Sequence, residues 1–209
     1  MPDAWRKMRR AESLLREERG TLAGVDEAGR GPLAGPVVAA AVVLGDTEGW
    51  EGLDDSKQLS AQRREVIFAR VLERARAFRW AVVGPRAIDR VNIRRASLAA
   101  MARAVVGLRI VPDLVLVDGT DTIPGLPLAQ EAVVDGDARL LSIAAASVLA
   151  KVVRDRIMER LDRVWPGYGF ARHKGYGTPE HLDALGRLGP CPLHRFSFGP
   201  VRIQTLPLG

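Results

Sequence analysis

Short apolar runs along the chain predict five β-strands. The first two, at 22–26 and 37–44, are joined by a glycine-rich connection, and their spacing favours an antiparallel pair. Apolar residues alternate with others over 78–82, as in a strand with one buried face. Two further runs, at 114–117 and 130–134, predict short strands later in the chain. The runs together indicate one sheet.

Helical periodicity marks the segments between and after these strands. Ser60 is placed to cap a helix whose apolar residues recur from Ile67 to Phe78, and a second such pattern covers 98–108. A long alanine-rich pattern covers 140–161, and the pair Thr178-Pro179 predicts the start of a last helix. Strands followed by a strand and helix alternation predict an α/β fold, a mixed sheet flanked by helices.

Composition limits the classes of protein to which the chain can belong. Its 209 residues, 47% hydrophobic and 27% charged, suit one well-buried domain. The longest apolar run, 37–44, is too short to span a bilayer, and the arginine-rich N-terminus lacks the apolar segment of a secretory signal. We therefore expect a cytoplasmic location. The single cysteine, Cys191, excludes an intrachain disulfide and a cysteine-based metal cluster.

Charge points to a polyanionic partner. The net charge of +6 favours nucleic acid, because neutralising phosphates releases counterions. Residues 4–19 are strongly charged with little apolar periodicity, so we expect a helix or ordered tail that lies in solvent.

Four carboxylates share one sequence context, at or just after the predicted end of a strand. They are Asp26, Glu27, Asp118 and Asp137. Neighbouring side chains of a strand point to opposite faces, so Asp26 and Glu27 are expected to share a site only if the strand ends there. Carboxylate oxygens are ligands for Mg²⁺ or Mn²⁺, and four of them suffice for two ions, which lie about 3.5–4 Å apart in phosphodiester hydrolysis.

Turn formation is the alternative explanation for part of this set. Asp-Gly pairs are common in turns, and this accounts for Asp118-Gly119 and Asp135-Gly136 taken singly. It accounts less well for Asp26 and Glu27, since carboxylates that directly follow an apolar strand cost solvation free energy unless a cation compensates.

Several sequence blocks, in one order, resemble bacterial ribonuclease HII. They are Gly24-Val25-Asp26-Glu27-Ala28-Gly29-Arg30-Gly31-Pro32-Leu33, Asp55-Ser56-Lys57-Gln58-Leu59-Ser60, Val117-Asp118-Gly119, Gly136-Asp137, Ala145-Ala146-Ser147-Val148-Leu149-Ala150-Lys151-Val152, His173-Lys174-Gly175-Tyr176 and Arg195-Phe196-Ser197-Phe198-Gly199-Pro200. The resemblance covers nearly everything from Leu22 to Val201. It implies a ribonuclease H-like mixed sheet flanked by helices, with a C-terminal helical portion, over 21–209. Residues 1–20 form an N-terminal extension without a counterpart in this pattern.

The resemblance also implies an activity. It is that of an endonuclease that hydrolyses the RNA strand of RNA/DNA hybrids and incises DNA on the 5′ side of an embedded ribonucleotide, leaving 3′-hydroxyl and 5′-phosphate ends. The metal-binding acids map onto Asp26, Glu27, Asp118 and Asp137, with two Mg²⁺ or Mn²⁺ ions as cofactors. Asp135 is the alternative fourth acid, and the Gly-Asp pairing of the family selects Asp137.

Substrate contacts follow from the same blocks. The resemblance assigns contact with the 2′-hydroxyl and phosphate of the ribonucleotide to Gly29, Arg30 and Gly31, and contact with the next sugar to Tyr176. It also implies that Lys57, Ser147 and Lys174 lie near the nucleic-acid backbone, and that His173 lies near the substrate. Lys151 and Asp155 are expected to form a helix-surface pair. The three histidines are too scattered in sequence to argue a zinc site, and we expect His181 and His194 at the surface.

Two alternatives stay open beside a two-metal ribonuclease. Ribonuclease HIII shares the catalytic layout, but it usually carries an N-terminal domain that the segment before Thr21 is too short to supply. A catalytically silent nucleic-acid-binding protein would be marked by loss of an acid, whereas all four are present. We expect a monomer. The tail Gln204-Thr205-Leu206-Pro207-Leu208 resembles peptides that bind the replication sliding clamp.

Overall fold

The computed structural model describes residues 4–54 and 56–203. Its strands are β1 (Leu22–Ala28), β2 (Val37–Val43), β3 (Ala77–Val83), β4 (Leu114–Asp118) and β5 (Gln130–Val133). Its helices are α1 (Ala4–Arg19), α2 (Ala61–Arg74), α3 (Pro85–Val91), α4 (Ile93–Val106), α5 (Leu141–Val164), α6 (Phe170–His173), α7 (Pro179–Leu188) and α8 (Gly199–Ile203), with a 3₁₀ turn at Gly136–Ala138. The tail 204–209, with its predicted clamp-binding peptide, lies outside the described residues. No helix in the described part of the chain is long and apolar enough to cross a membrane.

The predicted mixed sheet is confirmed, with strand order β3-β2-β1-β4-β5. β1 and β2 pair antiparallel, as do β2 and β3, whereas β4 runs parallel to both β1 and β5. The expected end of the first strand is wrong. β1 continues through Asp26 and Glu27 to Ala28, because both residues keep their pairing with Ala40 and Ala39 of β2.

Helices cover both faces of the sheet, which explains why every residue of β2 is buried. Helix α5 packs on one face, against Val38, Ala40 and Val42, and α4 packs on the other. The approach of α5 to β1 requires glycine at position 24, where an added Cβ would lie 2.2 Å from the carbonyl carbon of Ser142. Small residues thus bring the long helix directly against the central strand.

The N-terminal helix differs from the expected solvated segment. Met8 of α1 is fully buried in the core that α5 forms with the sheet, and Glu12 is 1% exposed. The Glu12 carboxylate accepts hydrogen bonds from the backbone N–H and the hydroxyl of Ser142, at 3.4 and 3.1 Å. Helix α1 thus packs against the core through the buried side chains of Met8 and Glu12, and not through a continuous apolar face. This is why its sequence shows little apolar periodicity.

The C-terminal helices form a small core of their own with the end of α5. Both predicted N-terminal caps are confirmed. The hydroxyl of Thr178 accepts a hydrogen bond at the N-terminus of α7, and the hydroxyl of Ser60 accepts one at the N-terminus of α2. Thr178 does not start the last helix, because α8 follows α7. α3 and α6 were not predicted; each is a short segment without a sustained periodicity.

The expected surface position of His181 and His194 is wrong. Both side chains are fully buried, and their Nε2 atoms lie 3.1 Å apart. His173 stacks on His181 with ring centroids 4.4 Å apart. The three residues are thus scattered in sequence but form one buried cluster, which packs around Phe170.

Candidate active site

Three of the predicted acids line one cavity at the end of β1 and β4. The cavity measures about 290 Å³, and its acids are Asp26, Glu27 and Asp118. Parallel pairing of β1 with β4 places the ends of both strands at the same edge of the sheet. Neighbouring side chains of a strand point to opposite faces of the sheet. Asp26 and Glu27 nevertheless both line this cavity, which lies where the strand ends.

Asp26 is the most buried member of this group. Its side chain accepts hydrogen bonds from the backbone N–H of Glu27, at 2.6 Å, and from the hydroxyl of Ser147. Burial raises the pKa of Asp26 well above its ordinary value, and repulsion from Glu27 and Asp118 raises it further. These effects disfavour the ionised carboxylate, which a neighbouring cation would stabilise.

Glu27 and Asp118 face a second hollow of about 300 Å³ as well. Burial raises the pKa of Glu27, and the Arg30 guanidinium, 3.3 Å from Oε1, opposes this effect. Burial also raises the pKa of Asp118, against hydrogen bonds from the backbone N–H groups of Gly136, at 2.8 Å, and Asp137. Each carboxylate therefore costs solvation free energy that its protein neighbours offset only in part.

Asp137 stands beside this group rather than in the cavity wall. It lies in the 3₁₀ turn whose backbone N–H groups bind Asp118, and its side chain is buried. The Nζ of Lys57 is 3.1 Å from Asp137 Oδ2, and Lys57 lines the cavity. An ammonium group thus neutralises the fourth acid at the entrance of the site.

The donor set fits a hard divalent cation. Carboxylate oxygens are the ligands that Mg²⁺ and Mn²⁺ prefer, and an ion would relieve the repulsion that raises the pKa of Asp26. Among the described residues, no three His, Cys, Asp or Glu side chains lie close enough together to hold a metal ion as they stand. An ion bound by these carboxylates would take its remaining ligands from water or substrate oxygens.

The loop after β1 requires glycine at position 29. Gly29 has φ +97°, and an added Cβ would lie 2.0 Å from the Nε of Arg154. Arg30 is exposed, and Gly31 stands next to Tyr176, whose Cε1 would be 3.7 Å from an added Cβ. The Gly29–Gly31 segment and Tyr176 line the cavity that contains Asp26, Glu27 and Asp118.

The other predicted substrate contacts divide into two groups. Ser147 lines the cavity, but it is buried and shares hydrogen bonds with Asp26 and with Ser56, whose hydroxyl is 2.8 Å away. His173 and Lys174 do not line it. The His173 ring bonds to the Tyr168 carbonyl and accepts from the Gly175 N–H, and the Lys174 ammonium pairs with Glu159 at 2.8 Å.

Two buried arginines were given no role from the sequence, although Arg195 lies in one of the blocks that resemble the family. Arg154 and Arg195 are 1% and 0% exposed, and both donate hydrogen bonds to carbonyls of the segment after β1. A signal was present for Arg154, which lies four residues before the buried Met158 and four after Ala150, on the buried side of α5. The predicted pair of Lys151 and Asp155 is confirmed at 2.8 Å.

Comparisons of the sequence with known proteins point to one family. The family model described as Ribonuclease HII matches residues 23–201. Ribonuclease HII 1 of Methylibium petroleiphilum is 57% identical over 180 residues, which cover 86% of this chain and 90% of that protein.

Two solved structures share the fold. Ribonuclease HII of Archaeoglobus fulgidus, solved in complex with PCNA, has a TM-score of 0.74 and 28% identity over 86% of this chain and 95% of that one. Bst-RNase HIII in complex with Mn²⁺ has a TM-score of 0.75 and 19% identity over 92% and 72% of the two chains, a likeness of fold alone. The chain belongs to the ribonuclease HII family, metal-dependent endoribonucleases that act on the RNA of RNA/DNA hybrids.

Proposed function

We propose that this chain incises duplex DNA on the 5′ side of an embedded ribonucleotide, as well as cutting the RNA strand of hybrids. One observation carries the proposal: Asp26, Glu27 and Asp118 line the same cavity as the Gly29–Gly31 loop and Tyr176. The 2′-hydroxyl is the group that distinguishes RNA from DNA, and a glycine loop allows backbone atoms to approach a sugar closely. Recognition of a single ribonucleotide and cleavage beside it are thereby combined in one place.

The catalytic roles belong to the four carboxylates. We assign Asp26, Glu27, Asp118 and Asp137 as ligands of two Mg²⁺ or Mn²⁺ ions. Bound there, such ions would lower the pKa of a water and offset charge on the departing 3′ oxygen, chemistry that would leave a 3′-hydroxyl and a 5′-phosphate. Ser147 orients Asp26 by hydrogen bonding, and the backbone of the 3₁₀ turn orients Asp118.

Recognition roles belong to the cavity rim. Arg30 carries an exposed guanidinium beside Glu27, a position from which it can bind the phosphate next to the ribonucleotide. The exposed Tyr176 ring provides an apolar face for the following deoxyribose. The net charge of +6 suits a nucleic-acid duplex, and we place the enzyme in the cytoplasm as a monomer.

Cleavage of a labelled DNA duplex that contains one ribonucleotide tests the proposal. The duplex is compared with an all-DNA control in Mg²⁺, in Mn²⁺ and in chelator. We expect incision only with metal, only in the ribonucleotide duplex and on its 5′ side. Cutting of long RNA/DNA hybrids without incision at a single ribonucleotide would restrict the function to hybrids. Binding without any cleavage would favour a silent binding protein.

We also propose that the C-terminal tail binds the sliding clamp. Support comes from the sequence Gln204-Thr205-Leu206-Pro207-Leu208 and from the archaeal relative solved with PCNA. Deletion of residues 204–209 is expected to abolish co-purification with a bacterial clamp while leaving cleavage of a short duplex unchanged. Equal clamp binding by the shortened chain would dispose of this proposal.

A further inference from the structure

The Arg195 guanidinium donates hydrogen bonds to the segment that follows β1, both at the Gly29–Gly31 loop and a few residues further along the chain. Its Nη2 donates to the Gly29 carbonyl at 2.6 Å, and its Nη1 donates to the Arg30 carbonyl at 2.8 Å. Its Nε and Nη2 donate to the Gly35 carbonyl at 3.1 and 3.0 Å. One fully buried side chain thus fixes the peptide groups on either side of the turn that carries Arg30.

Arg154 ties the same loop to the segment that carries Tyr176. Its Nε donates to the Pro36 carbonyl at 3.0 Å, and its Nη2 donates to the carbonyls of Ala34, at 3.3 Å, and Lys174, at 3.0 Å. The guanidinium carbon is 5.9 Å from the centre of the Tyr176 ring. The N–H of Leu33 adds a backbone hydrogen bond to Gly175, at 2.8 Å.

Stability alone is a weak reason for this arrangement. Among the described residues, the hydrogen-bond acceptors of both guanidiniums are backbone carbonyls, and no carboxylate of that set pairs directly with either charge. Burial lowers the pKa of Arg195 to about 9, and repulsion from Arg154 contributes. Apolar residues of similar volume often stabilise a core as well as buried charges do. What they lack is the rigid planar fork of donors that sets the direction of several peptide groups at once.

We propose that Arg154 and Arg195 are positioning residues for ribonucleotide recognition. They hold the Gly29–Gly31 loop and Tyr176 in one fixed arrangement, so that a 2′-hydroxyl meets preoriented backbone groups. The inference rests on the proposed function, since it assumes that this loop reads the ribonucleotide. Neither arginine reaches the cavity wall, so their effect on substrate is transmitted through the loop.

The test is the Arg195→Lys variant, which keeps the charge and removes the fork. Dissociation constants are measured in chelator, where no cleavage occurs, for a duplex with one ribonucleotide and for an all-DNA duplex. We expect the wild-type preference for the ribonucleotide duplex to fall about tenfold, the scale of one lost hydrogen-bond contact. Affinity for all-DNA duplex should stay within a factor of two or so, because phosphate contacts elsewhere supply it. The matched control is Arg187→Lys, an exposed arginine of α7 paired with Asp183.

Each outcome separates the inference from the function on which it rests. A wild-type protein without preference for the ribonucleotide duplex would overturn both. A wild-type preference that Arg195→Lys retains would overturn the positioning role alone, and so would an equal loss of affinity for both duplexes by a variant with an unchanged unfolding midpoint.

A second variant covers the case in which Arg195→Lys fails to fold. The partly exposed Asp89 holds the neighbouring segment, accepting from the N–H groups of Phe196 and Ser197 at 3.0 and 2.9 Å. Asp89→Ala should loosen the segment that carries Arg195 and lower the preference about threefold, on the scale of a weakened hydrogen bond. A folded Asp89→Ala protein with the wild-type preference would count against the inference.

Discussion

The carboxylates of the candidate site are held by unlike neighbours. Asp26 is fixed by the Ser147 hydroxyl, Glu27 has the Arg30 guanidinium within 3.3 Å, and Asp118 is fixed by the backbone of the 3₁₀ turn. Within the described part of the chain, the hydrogen bonds to the Asp118 carboxylate come from backbone N–H groups, those of Gly136 and Asp137. Substitution there changes the charge of the site while leaving the side chains around it in place.

We expect Asp118→Asn to lower the cleavage rate more than about 100-fold, since changes even to outer neighbours of metal ligands cost up to that much. The amide keeps the shape and one acceptor oxygen for the Gly136 N–H, but it removes a negative charge that an ion requires. Affinity for hybrid duplex should stay largely intact. Initial rates in saturating Mg²⁺ and binding in chelator give the two measurements.

Asp121→Asn is the matched control for this prediction. Asp121 lies three residues further along the chain and forms a two-pronged ion pair with Arg94 at the surface, at 2.5 and 2.8 Å. Its substitution should change the rate only a few-fold, on the scale of an exposed ion pair. Equal losses in the two variants would show that charge near the cavity, rather than ligation by Asp118, controls the rate.

At the scale of elements, α1 binds the N-terminal turn of α5 through Glu12. The first turn of α5 has no side-chain cap of its own, since Leu140 stands at the N-cap position. Glu12 supplies the missing acceptor from a helix that lies 130 residues earlier in sequence. A carboxylate at a helix N-terminus is also favoured by the helix dipole. Helix α5 also carries Ser147 and Arg154, so the Glu12 contact helps to fix the helix that supports the candidate site.

Glu12→Ala should lower the free energy of unfolding by about 1–3 kcal/mol, because the Ser142 N–H and hydroxyl lose a buried partner. Denaturant unfolding at pH 7 measures the effect. Glu17→Ala, an exposed glutamate of the same helix, should change it by less than about 0.5 kcal/mol. If both variants unfold like the wild-type protein, α1 contributes nothing to holding α5.

Glu12 also predicts a pH dependence of stability. Burial raises the pKa of Glu12 from 4.5 to about 6, so the folded chain binds more protons than the unfolded chain between these pH values. The part of its contribution that depends on protonation is therefore fully present below pH 4.5 and is lost as pH rises through 6. Relative to Glu12→Gln, which does not titrate, the wild-type protein should lose about 2 kcal/mol across this window. A constant difference between the two unfolding curves would contradict the assignment.

What sequence could and could not predict is clearest at this scale. The strands, the long helix and the caps follow from local periodicity and hydroxyl placement, which are properties of neighbouring residues. The docking of α1 depends on Met8 and Glu12 meeting partners far away in sequence, and the continuation of β1 depends on its pairing with β2. Three of the four predicted acids line one cavity, because they follow strands whose ends lie at the same edge of the sheet. Arg195 was assigned no role, since a buried arginine whose hydrogen bonds go to backbone carbonyls has no local pattern.

At the scale of the whole molecule, hydrogen bonds of neutral histidines connect the C-terminal part to the cavity at the edge of the sheet. His194 Nδ1 accepts from the Cys191 N–H at 3.0 Å, so its Nε2 carries the proton and donates to Nε2 of His181. His181 then donates from Nδ1 to the carbonyl of Tyr176, 2.9 Å away. The chain of hydrogen bonds thus ends on the backbone of a residue that lines the cavity.

This cluster predicts a loss of stability in acid. Burial lowers the pKa of all three histidines, that of His194 to about 4, so the unfolded chain binds more protons than the folded chain between pH 6.5 and 4. The stabilising contribution is complete above pH 6.5 and is lost as pH falls through this window. His194 alone accounts for at most about 3 kcal/mol.

Glu12 and the carboxylates of the site act in the opposite direction, because their pKa values are raised and acid favours their folded form. The histidine contribution is therefore measured as a difference between proteins rather than from one curve. His194→Asn keeps an acceptor for the Cys191 N–H but does not titrate, so its unfolding free energy should fall less than that of the wild-type protein between pH 6.5 and 4. Parallel curves for the two proteins would mean that protonation of His194 does not oppose folding, and the acid sensitivity of the C-terminal part would then need another origin.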